Sequence, residues 1–254
     1  MHPVLVEIGG FSLYSYGFMI SLGIITVLVL LYREAPQKGF DPEQMVEAVM
    51  LIAVVGVIGA RLLFIFLEWE WFNQDLSRIF QLQAGGLSFY GAFGGGLLAA
   101  FLWSYWRKIS FLNLTDFFAP YMALGYTFGR MGCFLNGCCY GTVSNVLWAL
   151  PASMVDTLPR HPIQLYAAAG SLVIFFFIRY LQKYQTFSGF TLLLLIMCYG
   201  LLRFTVEFFR EGELMWGPLS LAQIFSALLF LIAVIALGIL STKFITRNGN
   251  SHEI

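Results

Sequence analysis

Seven long apolar runs constrain this chain more than any other feature of its sequence. An α-helix needs about 20 apolar residues to cross roughly 30 Å of hydrocarbon, and each run reaches that length. Only 11% of the residues are charged, against about 25% in soluble domains. We therefore predict an all-α integral membrane protein with about seven transmembrane helices, in a single polytopic domain over residues 1–254. The predicted spans are about 13–32, 44–68, 86–106, 115–135, 162–182, 188–208 and 219–241.

Basic residues are concentrated at alternate junctions between these runs. Eight of the 14 follow the first, third, fifth and seventh runs, whereas the opposite junctions hold Arg78, Arg160 and Arg210. Because Lys and Arg near span ends favour the cytoplasmic side, we predict an N-terminus outside and a C-terminus in the cytoplasm. The first run lacks the features of a cleaved secretory signal and is predicted to be retained. The net charge is zero, so nucleic-acid binding has no support.

Three further arginines, Arg61, Arg130 and Arg203, lie within or at the edge of apolar runs. An arginine at the centre of a membrane helix costs about 2.5–3.5 kcal/mol on insertion scales, and such residues usually face a bundle interior or a polar cavity. These arginines therefore indicate a polar site inside the bundle, where they would bind an anionic group.

The sixth run carries a polar stripe. Tyr199, Arg203, Glu207 and Arg210 are spaced four, four and three residues apart, which places them on one face of a helix. The stripe is expected to point inward or into an aqueous cleft. The structural alternative is that Glu207 only neutralises an arginine to stabilise the bundle.

A glycine-rich segment, residues 129–141, ends the fourth run. Its glycines permit sharp turns, and the planar guanidinium of Arg130 suits phosphate oxygens. We infer a phosphate-containing ligand here; the alternative is a tight helix-ending turn with a snorkelling arginine.

Two more segments place polar groups at the same outer side. His161 precedes Pro162, which is predicted to be the first residue of the fifth span, and Gln164 lies one turn into that span. Tyr90 lies in the glycine-rich segment 84–96, at the start of the third run. A helix cap for His161 and an interfacial belt position for Tyr90 or Tyr16 are the structural alternatives.

Three of the four cysteines, Cys133, Cys138 and Cys139, lie within seven residues, and Cys198 lies in an apolar run. This is not the disulfide framework of a small secreted domain. A redox or metal site is an alternative, but the spacing is not a standard zinc spacing and a fourth ligand would have to come from His161.

Taken in this order, the segments resemble the prolipoprotein diacylglyceryl transferase family over nearly the whole chain. The most specific motifs are G-R-x-G…N-G…G at 129–141, R-H-P-x-Q-L-Y at 160–166 and Y-G-x-x-R-x-x-x-E-F-F-R at 199–210. Members of that family transfer the diacylglyceryl group of phosphatidylglycerol to the lipobox cysteine thiol of a prolipoprotein, with glycerol phosphate as the leaving group. The resemblance implies a multi-pass protein of the bacterial inner membrane, with its active site towards the outer face and no metal or soluble cofactor.

The resemblance also implies roles for individual residues. Arg130 matches the arginine that binds phosphatidylglycerol, and Arg203 matches a second essential arginine. Other functional positions are matched by Tyr16, Asn136, Gly141, Tyr199 and Glu207. We further assign substrate binding to Arg61, Gln164 and Arg210. The expected partners are phosphatidylglycerol, the lipobox peptide and the lipid bilayer, and the chain is expected to be a monomer.

The chain departs from the family pattern where protons must move. The family commonly has histidine at the position of Tyr90, asparagine at Cys133 and glutamate at Cys138. A tyrosine, with a pKa of about 10, is a poor base at neutral pH. His161 is a candidate replacement base, activation of the lipobox thiol by the arginines alone is an alternative, and Cys138 as a thiolate is a candidate relay nucleophile. Alternative functions are a phospholipid-using transferase with another acceptor, a membrane thiol-redox or metal protein, and a non-catalytic lipid-binding protein.

Overall fold

The computed structural model describes residues 2–9, 11–80, 86–151, 157–211 and 215–249. Its described part is built from long helices joined by short 3-10 turns and small hairpins. The helices are α1 Ser15–Glu34, α2 Pro42–Leu67, α3 Trp69–Asn73, α4 Phe89–Trp106, α5 Phe111–Asn136, α6 Ile163–Leu181, α7 Phe190–Glu207 and α8 Leu221–Gly249. The strands form three antiparallel pairs, β1 Val4–Ile8 with β2 Phe11–Tyr14, β3 Leu150–Pro151 with β4 Pro159–Arg160, and β5 Met215–Trp216 with β6 Leu219–Ser220. These strands have at most five residues, and all of the long described elements are helices. The predicted all-α architecture is therefore confirmed.

Every predicted run coincides with a long helix. The ends differ by at most four residues, except that α8 continues eight residues beyond the predicted end at residue 241. Within the described residues, five helices are long and apolar enough to cross a membrane: α1, α2, α6, α7 and α8. Large apolar side chains on these helices are exposed, among them Phe66 at 77% and Ile232 at 61%, as expected of lipid-facing surfaces. The multi-pass membrane prediction is confirmed at this level. Helices α4 and α5 are not among these five, and the count of seven spans stays a prediction.

The chain divides into two compact units, residues 28–114 and residues 1–27 with 115–254. In the first unit, α2 and α4 approach closely through glycines. A Cβ at Gly59 would lie 2.5 Å from the carbonyl oxygen of Gly91, and a Cβ at Gly95 would lie 2.7 Å from that of Val55. Small residues at facing positions allow membrane helices to pack backbone against backbone. The prediction of a single domain stays a prediction.

In the second unit, α7 packs on α8 at Gly200, where an added Cβ would lie 2.8 Å from the carbonyl oxygen of Ser226. The start of α7 is fixed by Asp116 on α5, which is 3% exposed. Its carboxylate accepts hydrogen bonds from Gly189 N at 2.6 Å, Leu192 N at 2.9 Å and Gln185 Nε2 at 2.7 Å. A carboxylate at a helix N-terminus satisfies free N–H groups and the helix dipole together. This contact joins α5 to the start of α7 through two residues, Asp116 and Gly189, that are 73 positions apart in the chain.

Candidate active site

Arg130 lies near the C-terminal end of α5 and is held by a tyrosine one turn earlier on the same helix. Its Nε donates to the Tyr126 hydroxyl at 2.7 Å, and the guanidinium carbon lies 4.8 Å from the centre of the Tyr126 ring. A cation over an aromatic face is stabilised by the ring quadrupole. Only Nε takes part in this hydrogen bond. The contact therefore orients the guanidinium group without using its two terminal nitrogens.

The next contact involves Tyr199 on α7 and the two arginines that match family positions, Arg130 and Arg203. The Tyr199 ring packs edge-on against Tyr126, with centroids 5.5 Å apart at 87°. The Tyr199 hydroxyl interacts electrostatically with both Arg130 and Arg203. The positive charges on α5 and α7 therefore converge on one region, as the sequence predicted for Arg130, Tyr199 and Arg203.

Glu207 sits at the centre of the polar stripe and is 5% exposed. Its carboxylate lies 2.7 Å from Arg203 Nη1 and 3.8 Å from Arg210 Nη1. Ser220, at the start of α8, donates its hydroxyl to the same carboxylate at 3.5 Å. Arg203 and Glu207 pair one turn apart on α7, and the neutralising role named as the structural alternative is present. Arg210 lies beyond the end of α7, where it forms a β-bridge with Gly141, so the prediction of one helical face that includes Arg210 was wrong. Whether Glu207 also contacts substrate stays a prediction.

The loop after α5 pairs with two distant segments through its backbone. Gly141 N donates to His161 O at 3.1 Å, His161 N to Thr142 O at 3.0 Å, and Thr142 N to Phe209 O at 2.8 Å. A Cβ at Gly141 would lie 2.5 Å from the carbonyl oxygen of Phe209 and 2.7 Å from that of His161. This position therefore requires glycine because three chain segments meet there.

Two side chains anchor the same loop: Gln164 in the first turn of α6, and Arg160 just before that helix. Gln164 is fully buried, and its Nε2 donates to Cys138 O at 2.7 Å. Arg160 donates to Gly141 O at 3.3 Å and pairs with Glu211. Gln164 was predicted to bind substrate; the contact described here is to the protein backbone. Helix α6 begins at Ile163, with Pro162 just before it, so the predicted start was wrong by one residue.

His161 is engaged in a short chain of aromatic residues. Trp148 Nε1 donates to the Tyr166 hydroxyl at 2.6 Å, and that hydroxyl lies 3.1 Å from His161 Nδ1. Tryptophan can only donate, so the tyrosine proton is available to Nδ1 of a neutral imidazole. A histidine with Nδ1 unprotonated would accept this proton, and the other tautomer would donate to the tyrosine oxygen. The role of His161 as a base stays a prediction.

The three clustered thiols meet at the end of α5. The sulfur atoms of Cys133, Cys138 and Cys139 all lie within 4.8 Å of one another, and all are free and half-buried. Hydrogen bonds from the other two thiols lower the pKa of Cys139, and the charges of Arg130 and Arg210 lower it further. Asn136 hydrogen-bonds Cys138. The sequence analysis considered these three cysteines together only as an alternative redox or metal site, and the structure brings their thiols together.

Tyr16, at the start of α1, belongs to the same neighbourhood. Its hydroxyl interacts electrostatically with Arg130 and with each of the three thiols. An added Cβ at Gly132 would lie 3.1 Å from the Tyr16 ring, so glycine there lets α1 approach α5. Tyr16 thus lies in the electrostatic neighbourhood of Arg130, and its role in substrate binding stays a prediction.

Two predicted site residues lie in the other compact unit. The Arg61 guanidinium is 5.1 Å from the centre of the Phe72 ring and donates to three backbone carbonyls, those of Arg78, Ile79 and Gly86. These contacts fix the segment that follows α3. Tyr90 is 79% exposed on α4. Their functional roles stay predictions. Gly85 and Ala84, which belong to the same predicted segment as Tyr90, lie outside the described residues.

Sequence reasoning did not single out Tyr126 or Tyr166 as site residues. Tyr126 could have been found from spacing, because it lies four residues before Arg130 and residues four apart on a helix are neighbours. No such spacing signals Tyr166, because His161 precedes α6.

Comparison with known proteins gives one consistent family. The family model described as "Prolipoprotein diacylglyceryl transferase" matches residues 3–239. A phosphatidylglycerol–prolipoprotein diacylglyceryl transferase 2 of Clostridium perfringens is 34% identical over 250 residues, covering 96% of this chain and 97% of the relative. The corresponding transferase of Clostridioides difficile is 30% identical over 253 residues, covering both chains fully. That of Vibrio parahaemolyticus is 35% identical over 255 residues, covering 97% and 92%. The chain therefore belongs to the prolipoprotein diacylglyceryl transferase family.

Proposed function

We infer that this chain is an enzyme that transfers the diacylglyceryl group of phosphatidylglycerol to the lipobox cysteine thiol of prolipoproteins. Its full-length relatives carry the name of that activity. The structural observation that carries the inference is the ring contact between Tyr126 and Tyr199. Tyr126 binds Arg130, and Tyr199 lies one helical turn before Arg203 on α7. This arrangement supplies two permanent positive charges to a ligand that reaches the end of the bundle as an anionic phospholipid.

The chemistry requires a sulfur–carbon bond to form and a carbon–oxygen bond to break. The lipobox thiolate attacks C3 of the diacylglycerol moiety, and glycerol phosphate leaves with the bonding electron pair. The phosphate changes from a diester with one negative charge to a monoester that carries more. Arginines placed where this charge develops stabilise the transition state more than the ground state. We assign this role to Arg130 and Arg203.

The remaining site residues are proposed to position these groups. Glu207 fixes Arg203 and Arg210, and Gly141 lets the three outer segments meet. Tyr16, Asn136 and Tyr199 are proposed to contact the lipid head group. The thiol proton is proposed to pass to His161 or Tyr90; activation of the thiol by the two arginines alone is the alternative.

We further propose a topology of seven spans, with the N-terminus outside, the C-terminus in the cytoplasm and the active site towards the outer face of the bacterial cytoplasmic membrane. The bias of basic residues towards alternate junctions supports this orientation. It would place the ends of α5 and α7 at the surface where exported prolipoproteins emerge. We expect the chain to act as a monomer and as one membrane domain.

The test is complementation in a bacterium depleted of its own transferase. The parent chain should restore conversion of a prolipoprotein to its diacylglyceryl form, followed by a mobility shift and by mass spectrometry. Arg203→Lys should restore it poorly, because lysine keeps the charge but loses the planar fork. Arg33→Ala, which removes an exposed arginine at the end of α1, is the matched control and should behave as the parent. Failure of the well-expressed parent chain to modify the prolipoprotein would reject the proposal.

A further inference from the structure

We propose that Cys133, Cys138 and Cys139 form a binding site for one thiophilic metal ion, held by three thiolates at the end of α5. This site is additional to the proposed transfer reaction, which uses no metal ion. The proposal rests on the positions of the three thiols and does not depend on the transfer activity.

The local backbone brings these thiols together. Cys133 is in the last turn of α5, and Gly137 then adopts a left-handed φ of 77° that reverses the chain. Cys138 N donates to Cys133 O at 3.2 Å, which returns Cys138 to the helix end. Cys139 also has a left-handed φ, 58°, which is uncommon for a residue with a side chain. The turn therefore presents three thiols to one point instead of spreading them along a strand.

The separations fit a metal ion. A thiolate sulfur lies about 2.3 Å from zinc, so sulfurs sharing one ion lie about 4 Å apart. The three sulfurs are already within 4.8 Å of one another, so small rotations of the side chains would complete the site. Three thiolates select soft ions such as Cu⁺, Zn²⁺ and Cd²⁺ over Mg²⁺ and Ca²⁺.

The site has three protein ligands among the described residues. His161, the fourth ligand considered from the sequence, does not belong to the group, and its Nδ1 faces the Tyr166 hydroxyl. Three protein ligands leave one coordination position for water, as in open zinc sites, or a three-coordinate ion. The geometry thus differs from a closed structural zinc site.

The surrounding charges favour an anionic complex. Three thiolates with a divalent ion carry a net charge of −1. Arg130 interacts with Cys133 and Cys139, and Arg210 acts on Cys139. These guanidinium groups would offset the excess negative charge, which in an apolar environment would otherwise be costly.

The experiment is a titration of the full chain, purified under reducing conditions in detergent, with Cd²⁺ as the probe. We expect a sulfur-to-metal charge-transfer band in the ultraviolet that saturates at one ion per chain and is unaffected by excess Mg²⁺. Cys133→Ser, Cys138→Ser and Cys139→Ser should each weaken binding at least about 10-fold, since loss of a ligand should cost no less than loss of an outer-shell partner.

Cys198→Ser is the matched control, because Cys198 lies on α7 and outside the cluster. It should bind Cd²⁺ as the parent does. Circular dichroism and size-exclusion chromatography check that each variant is folded. The proposal is overturned if the parent shows no charge-transfer band at one equivalent of Cd²⁺, or if Cys198→Ser abolishes the band as strongly as the cluster variants.

Discussion

Replacing Arg203 with methionine separates the structural role of this arginine from its catalytic role. Glu207 has a side chain that is 1% exposed, and Arg203 Nη1 lies 2.7 Å from its carboxylate. With an effective dielectric constant of about 20, that separation corresponds to a gross attraction of about 6 kcal/mol. Much of this offsets desolvation, and removing one partner of a buried pair costs about 3–5 kcal/mol net.

The second arginine moderates that cost. Arg210 Nη1 remains 3.8 Å from the carboxylate, so Arg203→Met should fall at the lower end, about 3 kcal/mol. The equilibrium constant for unfolding should then rise by roughly 100-fold. The assay is denaturant unfolding in mixed detergent micelles, together with the midpoint of thermal unfolding.

The double variant Arg203→Met/Glu207→Gln supplies the control. It removes both charges of the pair, so it should recover about 2 kcal/mol of the stability lost in Arg203→Met. Transfer activity should stay at least about 100-fold below the parent in both variants, because Arg203 is assigned to the developing phosphate charge. Recovery of activity in the double variant, or a single variant as stable as the parent, would refute this reasoning.

Three further predictions concern packing and positioning. Gly141→Ala should destabilise the protein by about 1–3 kcal/mol, measured as a lower unfolding midpoint, whereas Gly125→Ala, where an added Cβ meets nothing within 4 Å, should not. Asp116→Asn should cost about 1–3 kcal/mol in the same measurement, because charge-assisted bonds to the start of α7 are weakened; unchanged stability would contradict the capping role. Tyr126→Phe should lower transfer activity about 10-fold with little loss of stability, because Arg130 loses the acceptor that orients it; parent-like kinetics would show that the hydrogen bond does not orient the arginine.

The helices were predictable because membrane spans follow from apolar length alone. The polar face of α7 was predictable for the same kind of reason, since a helix has a fixed period and Arg203 and Glu207 fall one turn apart. Both inferences use only neighbours along the chain. The predicted convergence of Arg130 and Arg203 depended on the resemblance to a family, because periodicity does not say which helices are adjacent.

Contacts between distant segments were not predictable in this way. The Asp116 carboxylate accepts bonds from a helix start 73 residues later, and no local pattern signals that pairing. The contact of Gly141 with Phe209 and His161 was unpredictable for the same reason. It depends on turns and short strands, which have no helical repeat that a sequence pattern could show. For Arg61, the sequence did not reveal the acceptors that the protein itself supplies. Its contacts include three backbone carbonyls, which satisfy a buried guanidinium, and its assigned role in substrate binding stays a prediction.

The three thiols illustrate what sequence spacing hides. Cys133 and Cys138 are five residues apart, which is not a helical or zinc-finger spacing. The left-handed conformations of Gly137 and Cys139 bring the sulfurs together. Backbone conformations of this kind are weakly encoded locally, particularly for a residue with a side chain.

The central claim is that Arg130 and Arg203 bind the phosphate of phosphatidylglycerol so that its diacylglyceryl group passes to a thiol. The most direct measurement uses the purified chain, a synthetic lipobox peptide and vesicles, with the mass of the peptide as the readout. We predict that the mass of the peptide increases by one diacylglyceryl group with phosphatidylglycerol vesicles and stays unchanged with vesicles of phosphatidylethanolamine alone. Arg130→Ala should abolish the increase, and Arg33→Ala should retain it. Full transfer by Arg130→Ala would show that Arg130 is not needed to bind the phosphate of phosphatidylglycerol.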